Sequence, residues 1–449
     1  MGNMVFKGKD DGSQLSVVIA GDSIIHQARF MRWIEHMYAT RFPDENIVFY
    51  SKGIGGDTSQ DIIDRLDWDI LNPDDYVPNP DVLIVHIAAN DIRWQRYLIK
   101  EGELAGNYNI TDEAKNCVKN CGSLMDLVES RNIKYIPLTP VFCDDSKQLN
   151  ISDGANIQSG YVAKGIRELA REKNLGVIDL HKGTTRMNET IRANKPEIKI
   201  ALTDVSVHPN DEGAVIAAYV FLSEQGAPKV VAETEIDAST GAVVSNNAEI
   251  SGVIASPTGV TYTYKPLSLP LAVVNEYKTV ENTLGVNITD EFNNEVIRVK
   301  NLSAGTYRVS AKGVELGIYT AEKLANGINI ATNDNYCGQK LAKKIYDLNK
   351  TKTSAETGAM DIVAEERWLR GNGVDISNLT EVENWISTNR AAYANTNSWW
   401  TKKVFGIGYE SYTQIKNKEE QIWNTVNDCI DSIKAKQQYE AFEMRIEKQ

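Results

Sequence analysis

At 449 residues the chain is too long for one compact core, and two or three domains are expected. Its formal net charge of -13 argues against a polyanionic partner such as nucleic acid. No apolar run approaches the length that crosses a bilayer, and 42% hydrophobic with 24% charged residues is ordinary for a globular protein.

Residues 1–12 are polar and lack the apolar core of a signal peptide. The chain is therefore read as cytoplasmic, or as secreted if a leader has been removed. From 14 to 228 the pattern alternates. Strand-like apolar runs fall at 15–20, 47–51, 82–88, 133–138 and 176–180. Helical spacing falls at 25–39, 59–66, 112–131, 157–173 and 211–224. Such alternation predicts an α/β domain with a mostly parallel sheet and helices on both faces. Functional residues are then expected just after strand ends.

Beyond Pro228 the texture changes. Residues 229–335 are rich in Val, Thr, Asn and Gly, and predict a β-rich accessory domain, a small sandwich. Its runs 296–299 and 306–311 flank Asn301–Gly305, which reads as a hairpin-type connection. Residues 336–449 read as helical, with the clearest pieces at 339–349, 359–370, 381–393 and 416–447. Five of the eight tryptophans (Trp368, Trp385, Trp399, Trp400, Trp423) lie here and are read as surfaces that bury this tail, ahead of a sugar-stacking platform. Five scattered cysteines, Cys117, Cys121, Cys143, Cys337 and Cys429, read as free thiols. No metal cluster or phosphate loop stands out, and no cofactor is called for.

Four short segments follow strands or precede the last helix of the α/β part. They are Gly21-Asp22-Ser23-Ile24, Gly53-Ile54-Gly55-Gly56-Asp57-Thr58, Ala88-Ala89-Asn90-Asp91 and Val207-His208-Pro209-Asn210-Asp211-Glu212-Gly213. Alone, Asp22-Ser23 at a helix start is ordinarily an N-cap. A serine at a strand-to-helix turn can nevertheless expose its Oγ above the sheet edge.

Together the four blocks resemble the SGNH (GDSL-type) hydrolase superfamily over residues 14–228. The resemblance implies a flavodoxin-like three-layer α/β/α domain with Ser23 as nucleophile. It implies His208 as base, and an oxyanion hole formed by the Ser23 N–H, the Gly56 N–H and the Asn90 amide. Glycine at 56 lets the backbone approach a substrate closely. Gly53 and Gly55 are read as permitting the turn. The other histidines fit less well: His26 and His36 lie on the first helix, His86 within a strand, and His181 after the fifth strand. The family's acid usually stands three residues before the histidine, where this chain has Val205. Either Asp204 orients His208 across one extra residue, or a backbone carbonyl does. Arg93 and Trp94 follow Asn90 closely and are expected to border the cleft as substrate-binding residues. Asp22, Asp57 and Asp91 are read as turn and network residues.

The stretch 314–329 is similar to tails of multidomain bacterial SGNH proteins, which implies an accessory role. That tail could bind carbohydrate, complete the cleft wall or form an oligomer contact. The expected activity is a serine esterase working through an acyl-enzyme, most specifically a carbohydrate O-acetylesterase, with a small-molecule or glycan ester as substrate. The alternatives are a lipid- or thioester-directed acyl hydrolase, or a non-catalytic carbohydrate-binding protein on the same scaffold.

Overall fold

The structure is a computed structural model that describes residues 4–71, 76–97, 109–143, 154–198, 202–203, 207–437 and 439–449. Strands β1 (Leu15–Gly21), β2 (Ile47–Gly53), β3 (Val82–His86) and β4 (Lys134–Pro137) form a parallel sheet in the order β2-β1-β3-β4. Beyond their first residues both faces of these strands are buried, in keeping with their mostly apolar runs. Val17 and Ile19 face a core shared with helices α2 (Arg29–Arg41), α6 (Leu180–Asn194) and α7 (Asp211–Gln225). Val18 and Ala20 face the opposite core, shared with α4 (Asp112–Glu129) and α5 (Gly154–Glu172). The result is a three-layer α/β/α domain. Gly21 pairs with both Gly53 and His86, so three strands end level at one edge, where the short helices α1 (Ser23–His26) and α3 (Ser59–Asp64) begin.

The fifth predicted strand is reduced to a single bridge between Leu138 and Ile178. Asp179 caps α6 by accepting from the Lys182 N–H at 3.2 Å, so the chain turns into a helix before a ladder can extend. That capping aspartate is the signal by which α6 could have been foreseen.

Two facing sheets follow. One is ordered β12-β9-β5-β6, from β5 (Val230–Asp237), β6 (Val243–Asn246), β9 (Asn294–Lys300) and β12 (Ile328–Asn329). The other is ordered β11-β10-β13-β8-β7, from β7 (Ala248–Ser256), β8 (Gly259–Pro266), β10 (Thr306–Ala311), β11 (Val314–Thr320) and β13 (Phe442–Lys448). Val260, Tyr262 and Tyr307 of one sheet meet Ile236, Ile297 and Val299 of the other in a common core. Short helices α8 (Asn275–Asn282), α9 (Ile288–Phe292) and α10 (Ala321–Asn326) decorate this unit. The expected hairpin at Asn301–Gly305 is not formed, because β9 and β10 belong to opposite sheets. Alternation tells which side chains face inward, whereas the partner strand is a tertiary choice.

The helical region opens with α11 (Cys337–Gly371), a single 35-residue helix where two separate pieces were expected. Its polar middle is buried: Lys352 Nζ donates to the Phe49 carbonyl and to Glu356 Oε1, both at 2.8 Å, and lies 3.1 Å from Glu35 Oε2. Charge pairing against the α/β domain thus carries the helix through residues that carry no apolar signal. Helices α12 (Leu379–Asn389), α13 (Trp399–Val404), α14 (Tyr412–Lys416) and α15 (Glu419–Gln437) complete the region. The helix expected over 416–447 ends at Gln437, and β13 follows. Phe442, Met444 and Ile446 alternate with exposed Glu443, Arg445 and Glu447, a period of two that places the last strand between β10 and β8. Among the described residues no helix is long and apolar enough to cross a membrane, and the five cysteines are free thiols.

Candidate active site

At the level edge of the parallel sheet, Asp22 caps α1 by accepting from the Ile24 N–H at 2.9 Å. This starts the helix at Ser23 and leaves the serine half-buried above the strand ends. The expected network role of Asp22 is therefore observed as a cap. On the far side, Leu202 accepts from the Asn210 N–H at 3.1 Å, Thr203 bridges Pro209, and Arg29 Nη1 donates to the Pro209 carbonyl at 3.1 Å. Asn210 then caps α7, accepting from the Gly213 N–H at 2.7 Å. These ties hold the His208 loop against the sheet, and Ser23 Oγ stands 2.8 Å from His208 Nε2. Asp204 lies outside the described residues.

The other two blocks converge on the same point. Gly56 has φ +91°, a conformation that disfavours any side chain, and its N–H makes no hydrogen bond among the described residues. Asn90 Nδ2 donates one hydrogen to the Asp57 carbonyl at 2.9 Å, which orients the amide and leaves its second hydrogen for another acceptor. Asp57 is wholly buried between Arg65 Nε, at 2.8 Å, and Arg367 of α11. Burial pushes its carboxyl above the usual range, against the pull of the two guanidiniums. Asp91 holds the start of α3, accepting from the Ser59 N–H at 2.9 Å. Gly53 does not have a left-handed backbone; a Cβ there would stand 2.3 Å from the His26 nitrogen, so this glycine serves the close packing of α1 on β2 where a turn role was expected.

Residues 19–216 match the model of the GDSL-like lipase/acylhydrolase family. Over this stretch the chain is similar to GDSL-like hydrolases. Among solved structures, BT4096, described as a gut microbial diltiazem-metabolizing enzyme, superposes with a TM-score of 0.82 at 21% identity, covering 99% of both chains. That likeness shows a shared fold over the whole length. A catalytic mutant of Axe2, an acetylxylan esterase from Geobacillus stearothermophilus, matches with a TM-score of 0.38 at 22% identity over 50% of this chain and 97% of its own. The acetyl xylan esterase AlAXEase matches with a TM-score of 0.38 at 25% identity over 46% of this chain and 98% of its own. No curated protein matches the chain.

The α/β domain opens into a cleft of about 530 Å³ lined by Ser23, Gly56, Asn90, Trp94 and His208. Its opposite wall comes from the helical region: Thr357 and Asp361 of α11, and Trp399, Trp400 and Lys403 of α13. Of the pair expected to bind substrate, Trp94 lines the cleft, whereas Arg93 does not. The Arg93 guanidinium is directed to Glu113, 3.7 Å away, with its side chain 57% exposed, because a left-handed backbone at φ +51° turns it outward.

His26 also lines the cleft, 3.3 Å from Asp361 Oδ1, with its ring stacked on Trp400. The remaining histidines are structural. Nε2 of His36 accepts from the Ala272 N–H at 2.9 Å, that of His86 accepts from the Val141 N–H at 3.2 Å, and the His181 N–H donates to Thr139 Oγ1 at 2.9 Å. Trp368 and Trp385 pack with Phe405, and Trp423 stacks on Tyr76, in keeping with a burying role. Trp399 and Trp400 are the exceptions. The adjacent indoles with Lys403 four and three residues on were the available signal, but nothing local tells which surface they would meet.

Proposed function

We propose that the chain is a serine ester hydrolase and, more specifically, that it removes acetyl groups from carbohydrate esters. The observation that carries this reading is the 2.8 Å contact between Ser23 Oγ and His208 Nε2 beside Gly56 and Asn90. Ser23 Oγ attacks the ester carbonyl as its proton passes to His208 Nε2. The oxyanion is met by the Ser23 N–H, the Gly56 N–H and the free hydrogen of Asn90 Nδ2. His208 then gives its proton to the leaving alkoxide, and an acyl-Ser23 ester remains. Water, deprotonated by the same nitrogen, releases the acid and restores the serine. Asp204 is the candidate to hold His208 Nδ1, with a backbone carbonyl as its rival.

The lining favours a ring-bearing polar substrate. Trp94, Trp399 and Trp400 line the cleft together with Gln27 and Gln95, a mixture of aromatic surface and amide donors and acceptors suited to a sugar ring. Hydrolysis of p-nitrophenyl acetate by the wild type, abolished in Ser23→Ala, is the expected result. Absence of both turnover and fluorophosphonate labelling in the wild type would overturn the esterase reading and favour a binding protein. Acetate release across acetylated glycans tests the substrate class, and faster turnover of longer acyl esters would replace acetyl with a lipid-type acyl group. Asp204→Asn should lower kcat sharply if that residue orients the ring, and leave it unchanged if a carbonyl does.

A further inference from the structure

The peptide linking Gly55 to Gly56, and the peptide before it, are each held by a group that lies outside the four sequence blocks. Its carbonyl accepts from Trp400 Nε1 at 3.0 Å. The preceding N–H, that of Gly55, donates to His26 Nδ1 at 3.3 Å. A nitrogen that accepts has no proton, so the His26 proton sits on Nε2, which faces Asp361 Oδ1 at 3.3 Å and the Thr357 carbonyl at 3.4 Å. Asp361 is anchored in turn by Lys403 Nζ, 2.5 Å from Oδ2, and Lys403 sits over the rings of Trp399 and Trp400 at 4.2 and 5.3 Å. Burial raises the Asp361 carboxyl, but its contacts with His26 and Lys403 outweigh that and hold it below the ordinary range, so it stays ionised.

These contacts bear on one atom. In a trans peptide the carbonyl and the following N–H point in opposite directions. Fixing the Gly55 carbonyl on the indole therefore fixes the direction of the Gly56 N–H. Glycine at both positions leaves this peptide otherwise free to rotate, since no Cβ restricts it. A Cβ on Gly55 would stand 3.8 Å from Ser23 Cβ, so the held peptide is next to the serine.

We propose that Trp400, backed by His26 and Asp361, is a positioning residue that aims the Gly56 N–H as an oxyanion donor, making the helical region part of the hydrolytic machinery. The proposal rests on the esterase reading above. Donation by the indole also withdraws electron density from the carbonyl and makes the Gly56 N–H a better donor. Without it the peptide must be oriented during the reaction, a cost that falls on the transition state.

The test uses the full chain with p-nitrophenyl acetate. Trp400→Phe keeps an aromatic ring and removes the N–H; kcat should fall about tenfold, less than the 10²–10³ typical of losing a direct donor, with KM within about twofold. Replacing Trp400 by β-(3-benzothienyl)alanine, which keeps the bicyclic shape and lacks only the N–H, should give the same fall and separates the hydrogen bond from packing if Trp400→Phe folds poorly. A benzothienylalanine enzyme with wild-type kcat would overturn the proposal, as would a rise in KM alone. Ser23→Ala distinguishes the two levels: turnover retained there defeats the esterase reading itself. With Ser23→Ala inactive, wild-type kcat in the isostere defeats only the role of Trp400.

Discussion

Asn90 shows how one side chain can serve two masters. One of its amide hydrogens is committed to the Asp57 carbonyl at 2.9 Å, and the other is left for a second acceptor, which the proposed mechanism makes the oxyanion. Asn90→Ala should therefore lower kcat about 100- to 1000-fold with a smaller change in KM, measured by steady-state kinetics on p-nitrophenyl acetate. A loss below tenfold would remove Asn90 from the anion site. At this scale the sequence was most legible. Ser23, Gly56 and Asn90 each lie within a few residues of a strand end, and the topology of a parallel sheet brings strand ends to one edge. Arg93 shows the limit of such proximity. It is one residue from Trp94, yet a left-handed φ sends it to Glu113 while Trp94 faces the cleft.

Among the elements, α2 carries a pH-dependent tie to the segment that precedes α8. His36 is fully buried, and its Nε2 accepts from the Ala272 N–H at 2.9 Å. Burial, reinforced by the Arg41 charge, pushes its pKa down to about 3. The unfolded chain takes up this proton near pH 6.5, whereas the folded chain resists it. The stabilisation is thus fully present above pH 6.5 and is lost as pH falls toward 3. His36→Gln removes the titration, and the wild type should lose about 2 kcal/mol more than the variant between pH 6.5 and 5. Urea unfolding at the two pH values checks this. An identical pH dependence in both would mean that folding leaves the ring's proton affinity unchanged. Helices α11 and α6 illustrate what local patterns conceal: one passes through a polar stretch made buried by charge pairing, and the other begins at a cap where a strand was expected.

For the molecule as a whole, the last strand is decisive. Strand β13 occupies an interior position between β10 and β8, although the whole helical region from α11 to α15 separates it in the chain from β12. Burying Phe442, Met444 and Ile446 is worth about 5–9 kcal/mol, comparable with the whole stability of many domains, and its removal would expose two strand edges. Deletion of residues 439–449 should therefore abolish cooperative unfolding of the β unit and yield aggregated protein. Size-exclusion chromatography and circular dichroism would show this, and a monomeric product with wild-type Tm would refute it.

The sequence by itself determined the alternating α/β architecture, the change of texture near residue 228, and the four blocks whose residues meet at the sheet edge. Each of these depends on periodicity or on a few consecutive residues. The tertiary structure alone decided that β9 and β10 part company, that the chain's end returns to the sandwich, and that α11 and α13 close the cleft. Those outcomes depend on which surfaces meet across hundreds of residues, and a local pattern records only which side of an element is buried. The Trp400–Gly55 contact spans 345 residues, and for that reason the serine end of the site could be read while the wall facing it could not.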